Sequence, residues 1–252
     1  MSKTYIFLIT LFITLHCNAK RVLIDPGHGG EDCGAKAKLW QNKKLEVICE
    51  KDVALSIAKK VKTLINRSNR HTAYLTRTID KELDLDKRSK LADTIKADIF
   101  VSIHLNASTI KSSNGFETYY LDNHKDEVVK KVERAENRNG SAGQEMIVNT
   151  ILTDLIIERV APKSKELGQS VHAKLVATLP KKYKMSDRGL KPGMFYVLAL
   201  SKRPAILIEV GFLTNVNEAR LTISDTFQSH FAQSVATGII SFLDKNSDPN
   251  LF

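Results

Sequence analysis

Short apolar runs separated by stretches long enough for a helix leave this chain few ways to fold. Arg21–Asp25, Thr72–Arg77, Asp98–His104, Phe116–Leu121, Met194–Leu200 and Ala205–Val210 read as strands. Helices are predicted from about Glu50, near Lys87–Lys96, and over Glu145–Val160, Lys163–Leu179 and Phe227–Leu243, with Pro162 dividing the third from the fourth. The helix from Glu50 puts Val53, Ile57, Val61 and Leu64 on one stripe, while Lys51, Lys59, Lys60 and Lys62 project elsewhere, so it should pack on a sheet. Strands alternating with helices predict an α/β domain with a twisted, mainly parallel sheet and helices on both faces.

The ends narrow the setting. MSKTYIFLITLFITLHCNA carries Lys3 and then an apolar run too short to span a bilayer, with small Ala19 at its end, so residues 1–19 read as a signal peptide and Lys20 as the first mature residue. A lipid attachment at Cys17 is disfavoured by His16, where a small residue is expected. Residues 20–245 then form one domain and 246–252 a C-terminal tail, with no linker, repeat or low-complexity tract to mark a second module. The formal charge of +10 loses only Lys3 with the signal and favours anionic partners. The basic residues are scattered without interleaved aromatics, which excludes a nucleic-acid groove. Cys33 and Cys49 remain in the mature chain; an oxidising compartment permits a bridge between them, and an inert free pair fits the sequence equally well.

In open α/β sheets ligands bind beyond the carboxyl ends of the strands. Three such ends carry reactive groups here: His28 in DPGHGG, His104 closing DIFVSIH, and Glu209 closing AILIEV. Gly27, Gly29 and Gly30 allow close backbone approach around His28. Glu50 lies on the apolar stripe of its helix, and a buried carboxylate needs a partner: the helix dipole satisfies it in part, a metal ion more completely. Glu46, one turn earlier, competes but precedes the clear helical pattern. Ser102 and Asn106 flank His104 at two-residue spacing, so they share its sheet face and are suited to orienting neighbours or contacting substrate.

The order DPGHGG, EKDVALSIAKK, TR-x-x-D, FVSIHLNAS, GFETYYL and ILIEVGFLTN resembles the zinc N-acetylmuramoyl-L-alanine amidases of the type-3 class, over nearly all of Arg21–Leu243. The resemblance implies a six-stranded mixed sheet, one zinc ion on His28, Glu50 and His104, and Glu209 as catalytic acid/base. Two histidines and one glutamate leave a fourth zinc position for water, as a hydrolytic site requires. The expected reaction is hydrolysis of the amide between N-acetylmuramic acid and L-alanine of peptidoglycan, by an exported, periplasmic monomer without stable membrane insertion, acting in wall remodelling or cell separation.

Two other readings compete. Ser56-Ile57-Ala58-Lys59 with Ser112-Ser113-Asn114 matches two of the motifs of penicillin-binding hydrolases, but no Lys-Thr-Gly or Lys-Ser-Gly follows. A non-catalytic peptidoglycan-binding module that keeps an ancestral pocket should have lost one of the four residues, and all four are present. Regulation is the last expectation. Division amidases of the resembled family carry an insertion whose helix covers the zinc until an activator protein displaces it, and residues 122–163 give this chain room for one. The polar, glycine-containing break at Asn137–Gln144 offers little to bury, and Glu133, Glu136 and Glu145 each remain candidates for reaching the metal. An accessible, self-sufficient site is therefore expected.

Overall fold

The computed structural model describes residues 19–41, 43–138 and 150–246. All but the last residue of the segment read as a signal peptide, most of the Asn137–Gln144 break, Glu145 and nearly all of the tail lie outside them. Eight strands are described: β1 (Arg21–Pro26), β2 (Lys36–Gln41), β3 (Lys44–Cys49), β4 (Thr72–Leu75), β5 (Ile99–Asn106), β6 (Phe116–Leu121), β7 (Asp187–Gly193) and β8 (Ala205–Phe212). The helices are α1 (Glu50–Arg67), α2 (Leu85–Thr94), α3 (Glu127–Glu136), α4 (Thr150–Tyr183), α5 (Tyr196–Ser201), α6 (Val216–Thr222) and α7 (Asp225–Lys245). Among them no helix is long and apolar enough to cross a membrane.

Six strands form one mixed sheet in the order β4-β1-β5-β8-β6-β7. β4, β1, β5 and β8 run parallel, β6 lies antiparallel to β8, and β7 is parallel to β6. β5 and β8 are buried along their whole length, as central strands covered on both faces must be. One face, carrying Val22, Ile24, Val101, Ile103, Ile206 and Ile208, joins the apolar sides of α1, α4 and α7. The other carries Leu23, Phe100, Tyr119 and Leu207 beneath α2, α3 and α5. Side chains alternate with period two, so Asp25 follows Leu23 on this second face, Ser102, His104 and Asn106 follow Phe100, and Glu209 follows Leu207. The polar residues at these strand ends thus converge on one side of the sheet.

Two sequence expectations are corrected, and one element was not anticipated. Met194–Leu200 is not a strand: Tyr196–Ser201 is helical, and its place in the sheet is taken by Asp187–Gly193. A short apolar run cannot be assigned by periodicity alone. β7 holds two glycines and Pro192, which an edge strand tolerates. Pro162 does not separate two helices either, since α4 runs through it. Buried Ile157, Val160, Ser164, Leu167, Val171, Leu175 and Leu179 form one continuous stripe at spacings of three and four, and their packing outweighs the roughly 3 kcal/mol that an interior proline costs. The small β2–β3 hairpin was missed because its alternation of lysines with apolar residues is short and its outer face is exposed.

α4 and α7 approach closely at Gly238, where an added Cβ would lie 2.5 Å from Cα of Val171, a backbone atom with no room to yield. Gly238→Ala is expected to destabilise the domain by about 1–3 kcal/mol through overpacking, despite the better helix propensity of alanine. Thermal denaturation followed by circular dichroism measures this; an unchanged or raised Tm would show that the two helices separate freely.

Candidate metal centre

The site begins with the turn after β1. His28 has φ 56°, left-handed for a residue with a side chain, a strained conformation of the kind that persists where surroundings impose it. Those surroundings are two buried arginines. Arg77 Nη2 donates to Gly27 O at 2.7 Å, and Arg88 Nη2 donates to His28 O at 2.8 Å. Arg88 Nη1 also donates to Asp25 Oδ1 at 2.7 Å, while Thr76 and Ser102 hydroxyls donate to the two oxygens of the same carboxylate. Burial opposes the charge on Asp25, yet Arg88 and Thr76 hold its pKa below the usual value. Asp80 fixes the far side of the turn by accepting from Gly30 N and from Lys51 Nζ. The TR-x-x-D segment therefore acts as a clamp on the DPGHGG turn. Gly27 is required because a Cβ there would lie 2.4 Å from the His104 ring.

Glu50 opens α1 and is 1 % exposed. Its Oε2 accepts from Ala35 N at 2.7 Å and its Oε1 from Leu105 N at 2.8 Å, so the carboxylate is locked between the hairpin base and the end of β5. Cys49, the residue before it, is bonded to Cys33 with a Cα separation of 5.1 Å, which ties the His28 turn to the start of α1.

The two histidine rings meet edge to face at 4.9 Å. His28 Nε2 lies 3.1 Å from Glu50 Oε1 and His104 Nδ1 lies 3.0 Å from the same oxygen. A fourth group joins them: Glu136, the last residue of α3, places Oε2 2.8 Å from His104 Nδ1 and 3.4 Å from His28 Nε2. One ligand-capable atom of each residue lies within 4.8 Å of the other three. A tetrahedral ion with bonds of about 2.0–2.1 Å sets its ligands roughly 3.3 Å apart, close to these separations. Although near one another, His28 Nε2, His104 Nδ1 and Glu136 Oε2 are buried with no hydrogen-bond partner among the described residues. Atoms that converge at bonding distance from a common point without bonding one another fit a metal ion. His28 Nδ1 and Asp32 Oδ2 are 2.8 Å apart, the outer contact that fixes a ligating ring.

The electrostatics agree. Burial disfavours a charged His28 ring, but the hydrogen bond to Asp32 and the nearness of Glu136 and Glu50 outweigh it and push its pKa up to about 12. Burial likewise opposes charge on His104, and Glu136 and Glu50 raise it to about 10. This is a pocket of surplus negative charge, suited to a cation. Glu209, paired in register with His104 and Glu117, is fully buried, and neither oxygen has a hydrogen-bond partner among the described residues. Burial and the Glu136 charge raise its pKa well above the ordinary value. Beside it Glu117 pairs with Arg188 and Lys191 and accepts from the Tyr119 hydroxyl, and Arg188 lies over the Phe212 ring.

A cavity of about 840 Å³ holds His28, Glu50, His104, Asn106, Glu136 and Arg188 on its walls. The structure thus brings His28, Glu50 and His104 together, with Glu209 one strand away. Ser102 faces Asp25 below the site, while Asn106 lies on the cavity wall. Ser56 instead hydrogen-bonds Gln228 of α7 at 2.6 Å and Lys59 is exposed on the outside of α1, so the serine-nucleophile reading has no site.

The expected open fourth position is corrected, because Glu136 stands in it. The acid that joins the cluster, Glu136, belongs to α3. Asp126 caps its start, Val129 is buried beneath it, and Asn137 donates to Met194 O and accepts from Tyr196 N. Glu133, the rival acid, turns away to His124. Asp25, Asp32 and Arg88 were not singled out from sequence; Asp25 and Asp32 sit three before and four after His28, and Arg88 carried no local signal.

A family model described as N-acetylmuramoyl-L-alanine amidase matches residues 22–241. The chain belongs to this amidase family. It is 31 % identical over 221 residues to the N-acetylmuramoyl-L-alanine amidase LytC of Bacillus subtilis, covering 88 % of this chain and 35 % of LytC. It is 31 % identical over 229 residues to AmiC of Escherichia coli O6:H1, covering 88 % of this chain and 52 % of AmiC. The chain therefore spans from about a third to a half of these two relatives. The crystal structure of an N-acetylmuramoyl-L-alanine amidase from Clostridium difficile 630 superposes with a TM-score of 0.68 at 33 % identity, covering 90 % of this chain and 98 % of that one. The mixed sheet and single α/β domain are thus those of the amidase family.

Arg88→Met would leave Asp25 buried without its counter-charge, a loss of about 3–5 kcal/mol. The folded pKa of Asp25 lies below its unfolded value, so the pair's stabilisation is complete above the ordinary carboxylate pKa and is lost as pH falls toward the folded one. Denaturant titrations should show the largest gap between wild type and variant at pH 7 and a smaller one near pH 4. A gap that widens in acid would contradict the assignment.

Proposed function

We propose that this protein is a zinc-dependent amidase that cuts the amide between N-acetylmuramic acid and L-alanine of peptidoglycan. The observation that carries the reading is the convergence of His28, Glu50 and His104 on one point beside a buried Glu209 that has no hydrogen-bond partner among the described residues. Those three residues hold the ion, a nitrogen and carboxylate set suited to zinc, with Asp32 orienting the first ring. When bound, zinc supplies Lewis-acid polarisation of the scissile carbonyl and a water with its pKa lowered to roughly 7. Glu209 takes a proton from the attacking water and delivers it to the departing alanine nitrogen, which leaves poorly without one. Arg77, Arg88 and Asp25 keep the His28 turn in its strained geometry. Asn106 contacts substrate on the cavity wall.

Glu136 adds a closed state to this reading. It stands where a hydrolytic site admits water, so turnover requires the end of α3 to withdraw, the step that an activator protein drives. Export fits residues 1–19 as a signal peptide, action as a monomer in the periplasm, and use in wall remodelling or cell separation. A non-catalytic binding module is the competing reading, in which Glu136 closes the site permanently.

Chelation is expected to abolish release of stem peptides from sacculi and added zinc to restore it. His28→Ala and His104→Ala should lose zinc by metal analysis. Glu209→Gln should keep zinc while kcat falls about 10²–10⁴-fold; full turnover in this variant would remove Glu209 from the chemistry.

Glu136→Ala separates the closed enzyme from the inert module. Retained zinc with turnover on sacculi raised several-fold is expected. Loss of zinc in this variant, or no turnover in it despite full zinc, would make Glu136 a permanent fourth ligand.

A further inference from the structure

The β2–β3 hairpin has two unlike faces. Ala37 and Leu39 of β2 point inward and are buried, Leu39 to 1 % exposure. On the outer face Trp40 pairs with Leu45 and Lys38 with Val47, and the three apolar members are 63 %, 56 % and 56 % exposed. Lys36, Lys43 and Lys44 are exposed around them. Cross-strand pairing of the indole and leucine adds only about 0.2–1 kcal/mol to the ribbon and leaves all three apolar side chains more than half exposed, and a clustered apolar patch marks a binding surface. The hairpin is also held rigidly to the site. β3 ends at Cys49, which is bonded to Cys33, and the next residue, Glu50, exchanges hydrogen bonds with Ala35 at the base of β2. Leu45 stands five residues from Glu50, about 17 Å along an extended strand, so the patch reaches units of a polymer beyond the bond being cut.

We propose that this outer face binds the glycan strand of peptidoglycan, with Trp40 stacked on a sugar ring and Lys36, Lys38 and Lys43 facing carboxylates of the stem peptides. The inference rests on the amidase reading and deepens it. The C–H face of a pyranose is a flat apolar surface that matches an indole ring, and an aromatic with few rotatable bonds loses little entropy on ordering. The lysines supply charge complementarity to a polymer whose peptide branches end in acids. Both chemistries occur together on one strand.

Trp40 is the chain's single tryptophan, so it reports on its own surroundings. The experiment titrates zinc-loaded Glu209→Gln protein with sonicated peptidoglycan fragments, and separately with vesicles containing anionic phospholipid, while tryptophan emission is recorded. A saturable shift or quench with the fragments is expected. No response to the fragments overturns the proposal, and a response to vesicles alone assigns the face to a membrane surface instead. In parallel, Trp40→Ala added to the opened Glu136→Ala protein should lower the ratio of kcat/KM on sacculi to kcat/KM on muramyl dipeptide about tenfold, at unchanged zinc content; an unchanged ratio overturns the proposal as well. Zinc-loaded Glu136→Ala protein that cleaves neither substrate refutes the amidase reading, whereas an active enzyme with a silent Trp40 refutes only the glycan surface.

Discussion

A carboxylate in the first turn of a helix usually faces water. Glu50 instead faces the end of a central strand, the base of a hairpin and two imidazole rings, and almost none of it is exposed. Its charge has to be satisfied from every side, and each partner belongs to a different part of the chain. The backbone amides of Ala35 and Leu105 hold its oxygens, which fixes α1 against β5 and sets the point on which His28 and His104 converge. The disulfide before it and the arginine clamp on the His28 turn remove the remaining freedom. Burying this one anion is repaid only if a cation or proton sits between it and the histidines, and that requirement links the fold to the chemistry.

The period-two rule explains why the site has a preferred face. Of the two faces of the sheet, one is apolar along whole strands and receives α1, α4 and α7. On the other, apolar residues near the strand starts give way to Asp25, Ser102, His104 and Glu209 at the carboxyl ends. Hydrophobic burial therefore pins the strands while their last residues remain available, and no strand has to choose between stability and function.

This division also decides what sequence could tell. His28, His104 and Glu209 were legible because each closes an apolar run, and Glu50 because it shares an apolar helical stripe. The sixth strand was misplaced, since Met194–Leu200 is apolar enough for either element while DRGLKPG at the sheet edge has almost no strand formers. Pro162 misled for the opposite reason: a local rule was overruled by a packing stripe that extends on both sides of it. Arg88 and Glu136 could not be placed because they reach the site across more than 50 and 100 positions of chain respectively, with no local pattern to mark them.

The way α3 is attached bears on how a closed site opens. A helix that covered the metal with a broad apolar face would be costly to lift, at about 25 cal/mol for each Å² exposed. α3 buries Val129, packs Val132 partly against the same core, and otherwise holds on through polar contacts: Glu133 with His124 and Met194 N, and Asn137 with Met194 O and Tyr196 N. Water replaces such bonds at a net cost of roughly 0.5–1.5 kcal/mol each, with somewhat more where Glu133 is charged. Glu136 itself gives up its place among two imidazoles and a second carboxylate, whose repulsion already opposes it. On the amidase reading, the lid is thus built to be exchanged rather than unfolded: a partner offering a few hydrogen bonds and a small apolar surface to α3 matches what the helix leaves behind, and the core beneath the sheet stays untouched.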